Sequence, residues 1–504
     1  MPARASSTRE IQDILWRAAG KLRGSVDAGE YREFILGLVF LKYVSDARVL
    51  GVDWAALTAA AGQRPLGERL DAAMDAVMRD NPALAGVLPK VFGKVDPQRL
   101  GEIVELIGDA RFTADGDRPA QDVLGEAYEY FLERFARAEG KRAGEFYTPA
   151  GVVRLLVEML EPYEGDVYDP CCGSGGMFVQ AAKFRGRNVA VRGQESNERT
   201  WRLAKMNLAI HGMDPGGLGR TWADTFARDL HPGLRADFIL ANPPFNQSDW
   251  QRDPADPRWV YGVPPLANAN FAWLQHIVAK LRGSAGVVLS NGSMSARQQG
   301  EGAIRAALVR DDLVACMLAL PGNLFRTTAI PACLWFLARE KGHRRGQILF
   351  VDARAMGTMA DRTERVLTDA DIARIAGTYH AWRQATGSAS KRQIEAGDED
   401  KRQIESGHDC KRETESGPEH ERQTETGEEY EDVPGFCYSA TIAEVAAQDF
   451  VLTPGRYVGA AESRDDHEPV ADRIERLVKE LHARFEESAR LEAVVREQLG
   501  RLNG

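Results

Sequence analysis

Residues 167–178 read VYDPCCGSGGMF. Asp169 closes a short strand, and Gly173, Gly175 and Gly176 make a turn that opens into the helical stretch MFVQAAKFRG. Glycines in such a turn let the backbone approach a ligand closely, with the helix N-terminus facing it. Alone, the pattern fits a plain turn equally well. The next strand, VAVRGQE, ends at Glu195, where a carboxylate is placed to accept both ribose hydroxyls of a nucleoside. A carboxylate opening the helix after SNE is the other reading of Glu195. A third strand-end carboxylate, Asp224 in WADTF, is within reach of an adenine amino group, although a turn aspartate has the same appearance.

The following strand, ADFILA, runs into Asn242-Pro243-Pro244-Phe245. Two prolines withdraw two backbone donors and turn the chain out of the sheet, leaving an amide and an exposed ring at the strand's carboxyl edge. An adenine's exocyclic amine is a poor nucleophile, because its lone pair is delocalised into the ring. The Asn242 side-chain oxygen and the Pro243 carbonyl can accept hydrogen bonds from that amine and orient it. Phe245 can stack on the base, a contact worth roughly 1–3 kcal/mol, comparable to the few kcal/mol that unstack a base from duplex DNA. A turn that merely ends a strand is the bland alternative. The chain has no Walker A pattern, so no diphosphate has to be held. A nucleoside with an amino-acid tail suits the loop, and S-adenosylmethionine fits.

These motifs lie in a segment where strand candidates alternate with helices. DVYD, VAVRGQE, ADFILA, AGVVLSN, LVACMLAL, CLWFLA and QILFVDA read as strands; ERTWRLAKMNLAIHG and NFAWLQHIVAKLRG read as helices, the first ending at Gly212. Alternation of this kind predicts an α/β fold, a mostly parallel sheet with helices on both faces and ligands along the strands' carboxyl edge. Residues 8 to about 140 place apolar residues at three-to-four spacing and predict an all-helical N-terminal domain. The expected organisation is a helical domain over 1–140, a Rossmann-like methyltransferase domain over 141–385, an insertion over 386–430 and a C-terminal segment over 431–504. Within the insertion, residues 391–430 are four tandem decapeptides with almost no apolar residues, so no core can be built from them. A long C-terminal helix is expected from about Pro469 to Leu502. It either packs on its own body or meets a partner as a coiled coil.

The formal net charge of −10 is at first sight wrong for a nucleic-acid enzyme. Residues 391–430 hold seven Lys/Arg against thirteen Asp/Glu, which leaves 57 against 61 elsewhere. A nearly balanced body grips phosphates weakly, so a partner is expected to supply much of the affinity for DNA. The six cysteines form no CxxC pair and have no histidine at ligand spacing, so reduced, mostly buried thiols and no metal are expected. FILGLVFLKYV from Phe34 is too short to span a bilayer and contains Lys42. With no signal-peptide pattern at the start, a cytoplasmic protein that does not enter a membrane is expected.

GEFYTP (144–149), DPCCGSGGMF (169–178), GQESN (193–197), RLAKMNLAIHG (202–212) and ANPPFN (241–246) closely resemble the modification subunit of type I restriction–modification systems. NANFAWLQH, VVLSNGSMS, LPGNLFRTTAIPACLWFL and LTPGRYVG extend the match, over roughly residues 8–385 and 431–504; the decapeptides depart from it. The resemblance implies an N6-adenine DNA methyltransferase that uses S-adenosylmethionine on double-stranded DNA. Two copies would assemble with one specificity subunit, joined by a restriction (motor and nuclease) subunit for cleavage. It implies Asn242, Pro243, Pro244 and Phe245 as the catalytic motif. Asp169, Gly173, Ser174, Gly175, Glu195, Asp224 and Asn242 would lie around the cofactor, with Tyr147, Thr148 and Pro149 closing over its methionine end. It further implies that the N-terminal helices help clamp DNA and that the C-terminal helix packs on the specificity subunit. A protein glutamine methyltransferase, which presents a side-chain amide to the same motif, and a catalytically inactive scaffold of this fold are the rival readings. The target DNA sequence is not written in this chain.

Overall fold

The computed structural model describes residues 8–22, 28–46, 52–59, 65–110, 120–139, 148–184, 189–325, 331–385 and 430–460, with 478, 479 and 482. Decapeptide residues 391–429, nearly all of the expected C-terminal helix, and Tyr147 lie outside these. The chain divides into two compact units, Met1–Val458 and Gly459–Gly504, and the first carries everything that follows.

Six helices come first: α1 (Thr8–Leu22), α2 (Ala28–Asp46), the short α3 (Trp54–Thr58), α4 (Pro65–Asp80), α5 (Pro97–Gly108) and α6 (Ala120–Glu139). The α1 stripe of Ile11, Leu15, Ala18, Ala19 and Leu22 is buried, as helical periodicity requires. The greasy α2 is buried on all sides from Phe34 to Leu41, so it is the central helix of the layer. Among the described residues no helix is long and apolar enough to cross a membrane. Helix α5 starts where Asp96 accepts the Arg99 N–H at 3.0 Å and Pro97 occupies its first turn, where its missing donor costs nothing.

Helix α7 (Ala150–Leu160) leads into strands β1 (Gly165–Asp169), β2 (Val189–Gly193), β3 (Ala236–Ala241), β4 (Leu281–Ser290), β5 (Val314–Ala319), β6 (Ala332–Ala338) and β7 (Gln347–Asp352). A small hairpin, β8 (Thr358–Met359) and β9 (Arg365–Val366), and β10 (Cys437–Thr441) follow. The main sheet has eight strands in the order β10-β7-β5-β6-β4-β3-β1-β2. Strand β6 is antiparallel to β4 and β5, and β10 is antiparallel to β7; the remaining pairings are parallel. The seven strands expected from the sequence are present. Strand β10 and the hairpin were not expected: CYSAT is short and polar, and an edge strand needs apolar contact on one side only.

Successive strand residues point to opposite faces. Val167, Leu240, Val288 and Phe336 join the core beneath α7, α8 (Gly176–Lys183), α9 (Glu198–Ile210) and the N-terminal helices. Tyr168, Ile239, Val287 and Trp335 face α10 (Asn270–Lys280) and α11 (Glu301–Arg310) instead. The helical layer is fastened to α9, where Tyr128 donates to the Leu203 carbonyl at 3.2 Å and Lys205 to that of Ala83 at 3.0 Å. Helix α9 ends as expected at Gly212, with φ of 68°. There the Gly212 and Met213 N–H groups donate to the Ala209 and Leu208 carbonyls, a Schellman closure. The chain runs from β1 out to β2 and then back past β1 to β3, so the order reverses here and a crevice opens at the carboxyl ends of these strands.

Candidate active site

The crevice is lined by Thr148, Asp169, Gly173, Ser174, Glu195, Asp224 and Asn242, seven residues singled out in the sequence. Pro149, Gly175, Pro243 and Phe245 belong to the same turns but do not line it, whereas Pro244 does. Pro149 stands at the head of α7, directly after Thr148.

On the β1–β2 side the loop is built on left-handed backbone. Gly173 has φ of 53° and Gly175, at the N-cap of α8, has φ of 79°. A side chain is strained in that region, and a Cβ on Gly175 would also lie 3.6 Å from Ala204 of α9. The Gly173 N–H donates to Glu195 Oε2 at 3.0 Å, and the Asn197 N–H donates to Oε1 at 2.8 Å. Glu195 thus ties the glycine turn to the segment that leads into α9, whose N-cap is Asn197. Burial raises its pKa, against the pull of those backbone hydrogen bonds. Asp169 accepts the Cys171 N–H at 2.9 Å. Burial, reinforced by the negative field of Glu195, pushes its pKa up to about 7. Cys171 and Cys172 line the same cleft, and burial raises both thiols well above their ordinary value.

Asp224 is not on a strand end as expected; it sits in a loop. Its Oδ1 accepts the N–H groups of Phe226 and Ala227, both at 2.8 Å. The fully buried Gln194 holds this loop, donating to the Ala223 and Arg228 carbonyls and accepting from the Leu230 N–H. Side-chain bonding to a loop backbone leaves no strand periodicity to read, which is why the element was misread although the carboxylate lines the crevice.

Across the crevice, β3 ends at Ala241 and the chain turns through Asn242-Pro243-Pro244-Phe245. The Asn242 Nδ2 donates to Thr148 Oγ1 at 2.9 Å. Its Oδ1 is buried and has no hydrogen-bond partner among the described residues. An unpaired buried acceptor is costly, and here it stands beside the cleft. Phe245 is half-buried rather than exposed, because Phe325 packs on it edge-to-face at 5.6 Å between centroids. Asn246, with φ of 52°, leads into a 23-residue connection to α10.

That connection holds what the sequence reading missed. Trp250, Trp259, Trp273 and Phe226 form one buried aromatic cluster, with Phe226 and Trp273 at 4.4 Å, and Trp273 lines the cleft. Arg258 donates to the Thr225 carbonyl and to His276 Nδ1, both at 2.9 Å, and lies over Trp259. His276 is fully buried, and burial plus the Arg258 charge hold its pKa down at about 3. Neutral, and accepting at Nδ1, it carries its proton on Nε2 and donates to Tyr168 Oη at 3.0 Å. A lone histidine in an apolar helix gave no sign of this, since its partners come from strand β1 and from the connection before α10.

A family model described as N-6 DNA Methylase matches residues 119–466, and one described as HsdM N-terminal domain matches residues 11–48. The chain is 45% identical to the type I restriction enzyme HindI methylase subunit of Haemophilus influenzae, across 86% of this chain and 92% of that protein. It is 30% identical to the type I restriction enzyme MjaIX methylase subunit of Methanocaldococcus jannaschii, across 98% of this chain and 92% of that one. Its fold is similar to the crystal structure of the type I restriction-modification system methyltransferase subunit from Streptococcus thermophilus. The TM-score is 0.70 at 24% identity, with 90% of this chain and 100% of that chain covered.

Proposed function

The chain belongs to the N-6 DNA methylase family, and on that basis we propose that it methylates the exocyclic nitrogen of an adenine in DNA with S-adenosylmethionine. It does so as the modification subunit of a type I restriction–modification assembly. The observation that carries this reading is the buried, unpartnered Oδ1 of Asn242. Thr148 takes the amide's donor side, so the oxygen is turned to accept. An incoming amino group is what it lacks.

Buried carboxylates and positive-φ glycines suit a cationic nucleoside cofactor. Glu195 holds the ribose hydroxyls, Gly173, Ser174 and Gly175 let the backbone come close, and Asp224 meets the adenine amine. Asp169, held near neutrality by burial, ionises readily beside a cation. Tyr147, Thr148 and Pro149 close the methionine end. When bound, S-adenosylmethionine would supply an electrophilic methyl on a positively charged sulfur that would leave as a neutral thioether, the proton of the methylated amine passing to solvent.

Asn242 Oδ1 and the Pro243 carbonyl accept from the target amine, orient it and raise its electron density. The two prolines keep both acceptors at fixed spacing without conformational search. Phe245, backed by Phe325, stacks on a base turned out of the duplex. Nearly balanced charge outside the decapeptides agrees with a partner that reads and grips DNA, a specificity subunit shared by two copies of this chain. A restriction subunit joins for cleavage.

Methyl transfer from labelled S-adenosylmethionine tests the reading, with this chain alone, with its co-expressed specificity subunit, and with Asn242→Ala in that complex. Label on adenine N6 only with the partner, and lost in the variant, is the expected result. Cofactor binding without label on DNA, or label on a protein glutamine, overturns it.

A further inference from the structure

The four-residue turn that carries Asn242 is gripped at both ends. Thr148 holds the entry. At the exit, the Asn246 N–H donates to Asn270 Oδ1 at 3.1 Å and Asn270 Nδ2 returns a bond to Asn246 Oδ1 at 3.0 Å. Ser290 Oγ donates to the same Oδ1 at 2.9 Å, and Asn268 Nδ2 reaches it at 3.4 Å. The clamp therefore joins the turn to the first residue of α10 and the last residue of β4. We propose that Asn270 is a positioning residue for methyl transfer, acting through Asn246 to hold the Asn-Pro-Pro-Phe turn. The proposal rests on the methyl-transfer reading above.

A merely local role for Asn270 does not account for this geometry. Asparagines at helix starts ordinarily cap their own helix, yet the N-cap of α10 is Ala269, with no side-chain cap, and Asn268 accepts the Asn270 N–H instead. The Asn270 amide is turned away from its helix and across to the turn. It is 1% exposed and Ser290 is 2% exposed. Burying an amide and a hydroxyl is unfavourable unless both are hydrogen-bonded, so apolar residues would fill these positions better if packing were all they did. Asn246 is itself exposed, and the case for it is conformational. Its φ of 52° favours glycine, asparagine or aspartate, and of these glycine lacks the acceptor that Asn270 and Ser290 address. Between the two grips lie only Pro243, Pro244 and Phe245, a stiff segment with little freedom to absorb a shift at one end. Movement at Asn246 is passed back to the Pro243 carbonyl and the Asn242 amide.

The test uses the full chain co-expressed with its DNA-reading partner. Single-turnover methyl transfer, cofactor affinity, DNA affinity and thermal melting are measured for wild type, Asn270→Ala, Asn270→Asp, Asn246→Gly and the double variant Asn246→Gly/Asn270→Ala. Misplacing a reacting group by about 1 Å costs on the order of 100-fold, so Asn270→Ala is expected to slow transfer about 10- to 100-fold. Both affinities should stay within about twofold. Asn270→Asp keeps the acceptor for the Asn246 N–H but loses the donor, and falls in between. The double variant is no slower than the slower single one, because both remove one clamp. An unchanged rate in Asn270→Ala overturns the proposal. So does a fall in rate, affinities and melting temperature together, or a double variant whose losses multiply. If Asn270→Ala does not fold, Ser290→Ala and Asn246→Gly carry the same comparison. A wild-type complex that binds cofactor and DNA but transfers no methyl group sinks the functional reading instead.

Discussion

The two walls of the crevice are finished differently. On the β1–β2 wall the acidic side chains already have partners: Glu195 takes the N–H groups of Gly173 and Asn197, and Asp169 takes that of Cys171. On the β3–β4 wall the turn is clamped at both ends, yet the oxygen of Asn242, at its entry, has no partner among the described residues. On one wall the carboxylates are tied to the backbone around them. The other holds an acceptor without a partner among the described residues in a turn fixed at both ends, the arrangement expected where an interaction is to be made with the reacting group. Affinity and rate should therefore separate cleanly between the walls.

Asn242→Ala should have the largest effect. Removing one preorganised hydrogen-bonding group from a reacting centre costs about 100- to 1,000-fold in rate, and here cofactor affinity should be untouched. Single-turnover transfer alongside calorimetric titration of S-adenosylmethionine checks both halves, and a parallel loss of affinity would mean that the walls are not separate. Glu195→Ala should do the reverse. It deletes the proposed ribose acceptor and orphans two backbone donors, so affinity should fall about 10- to 100-fold, the scale of hydrogen bonds to a charged group. Rate at saturating cofactor should change far less.

Asp169 adds a pH signature. Its folded pKa of about 7 lies above the ordinary carboxylate value. Its contribution to folding is fully present below that ordinary value and is lost as pH rises through about 7. A cationic ligand prefers the ionised form, so cofactor affinity should rise about tenfold from pH 6 to pH 8 and then level off. Titrations across that range should show the slope in the wild type and none in Asp169→Asn. Gly175→Ala should have the smallest effect on chemistry. At φ of 79° a Cβ costs about 1–2 kcal/mol, visible in a melting curve, with weaker cofactor binding and an unaltered rate at saturation.

Much of this contrast is legible in the residues. Short strand candidates announce strand ends on one edge of a sheet: β1 stops at Asp169, β3 one residue before Asn242, and β2 at Gly193, two residues before the expected Glu195. Glycine and proline then say where the backbone turns left-handed or loses its donors. Those are local properties, set by sterics within a few residues. Asp224 was legible as a residue but not as an element, because its loop is held by Gln194 rather than by a ladder. Phe245 was read as exposed, since nothing near it in sequence says that Phe325 comes to cover its edge.

The amino-acid order alone settles the sheet class, the glycine turn, the identity of the carboxylates and the Asn-Pro-Pro-Phe turn, because each depends on backbone geometry over a handful of neighbours. Which of those groups is satisfied and which is left waiting depends on residues distant in the chain. Thr148, Asn270 and Ser290 hold the turn, Arg258 and His276 pin the loop beside it, and β10 closes the sheet from beyond the decapeptides. Side-chain hydrogen bonding and edge packing carry no sequence period, so only the folded chain brings these partners together.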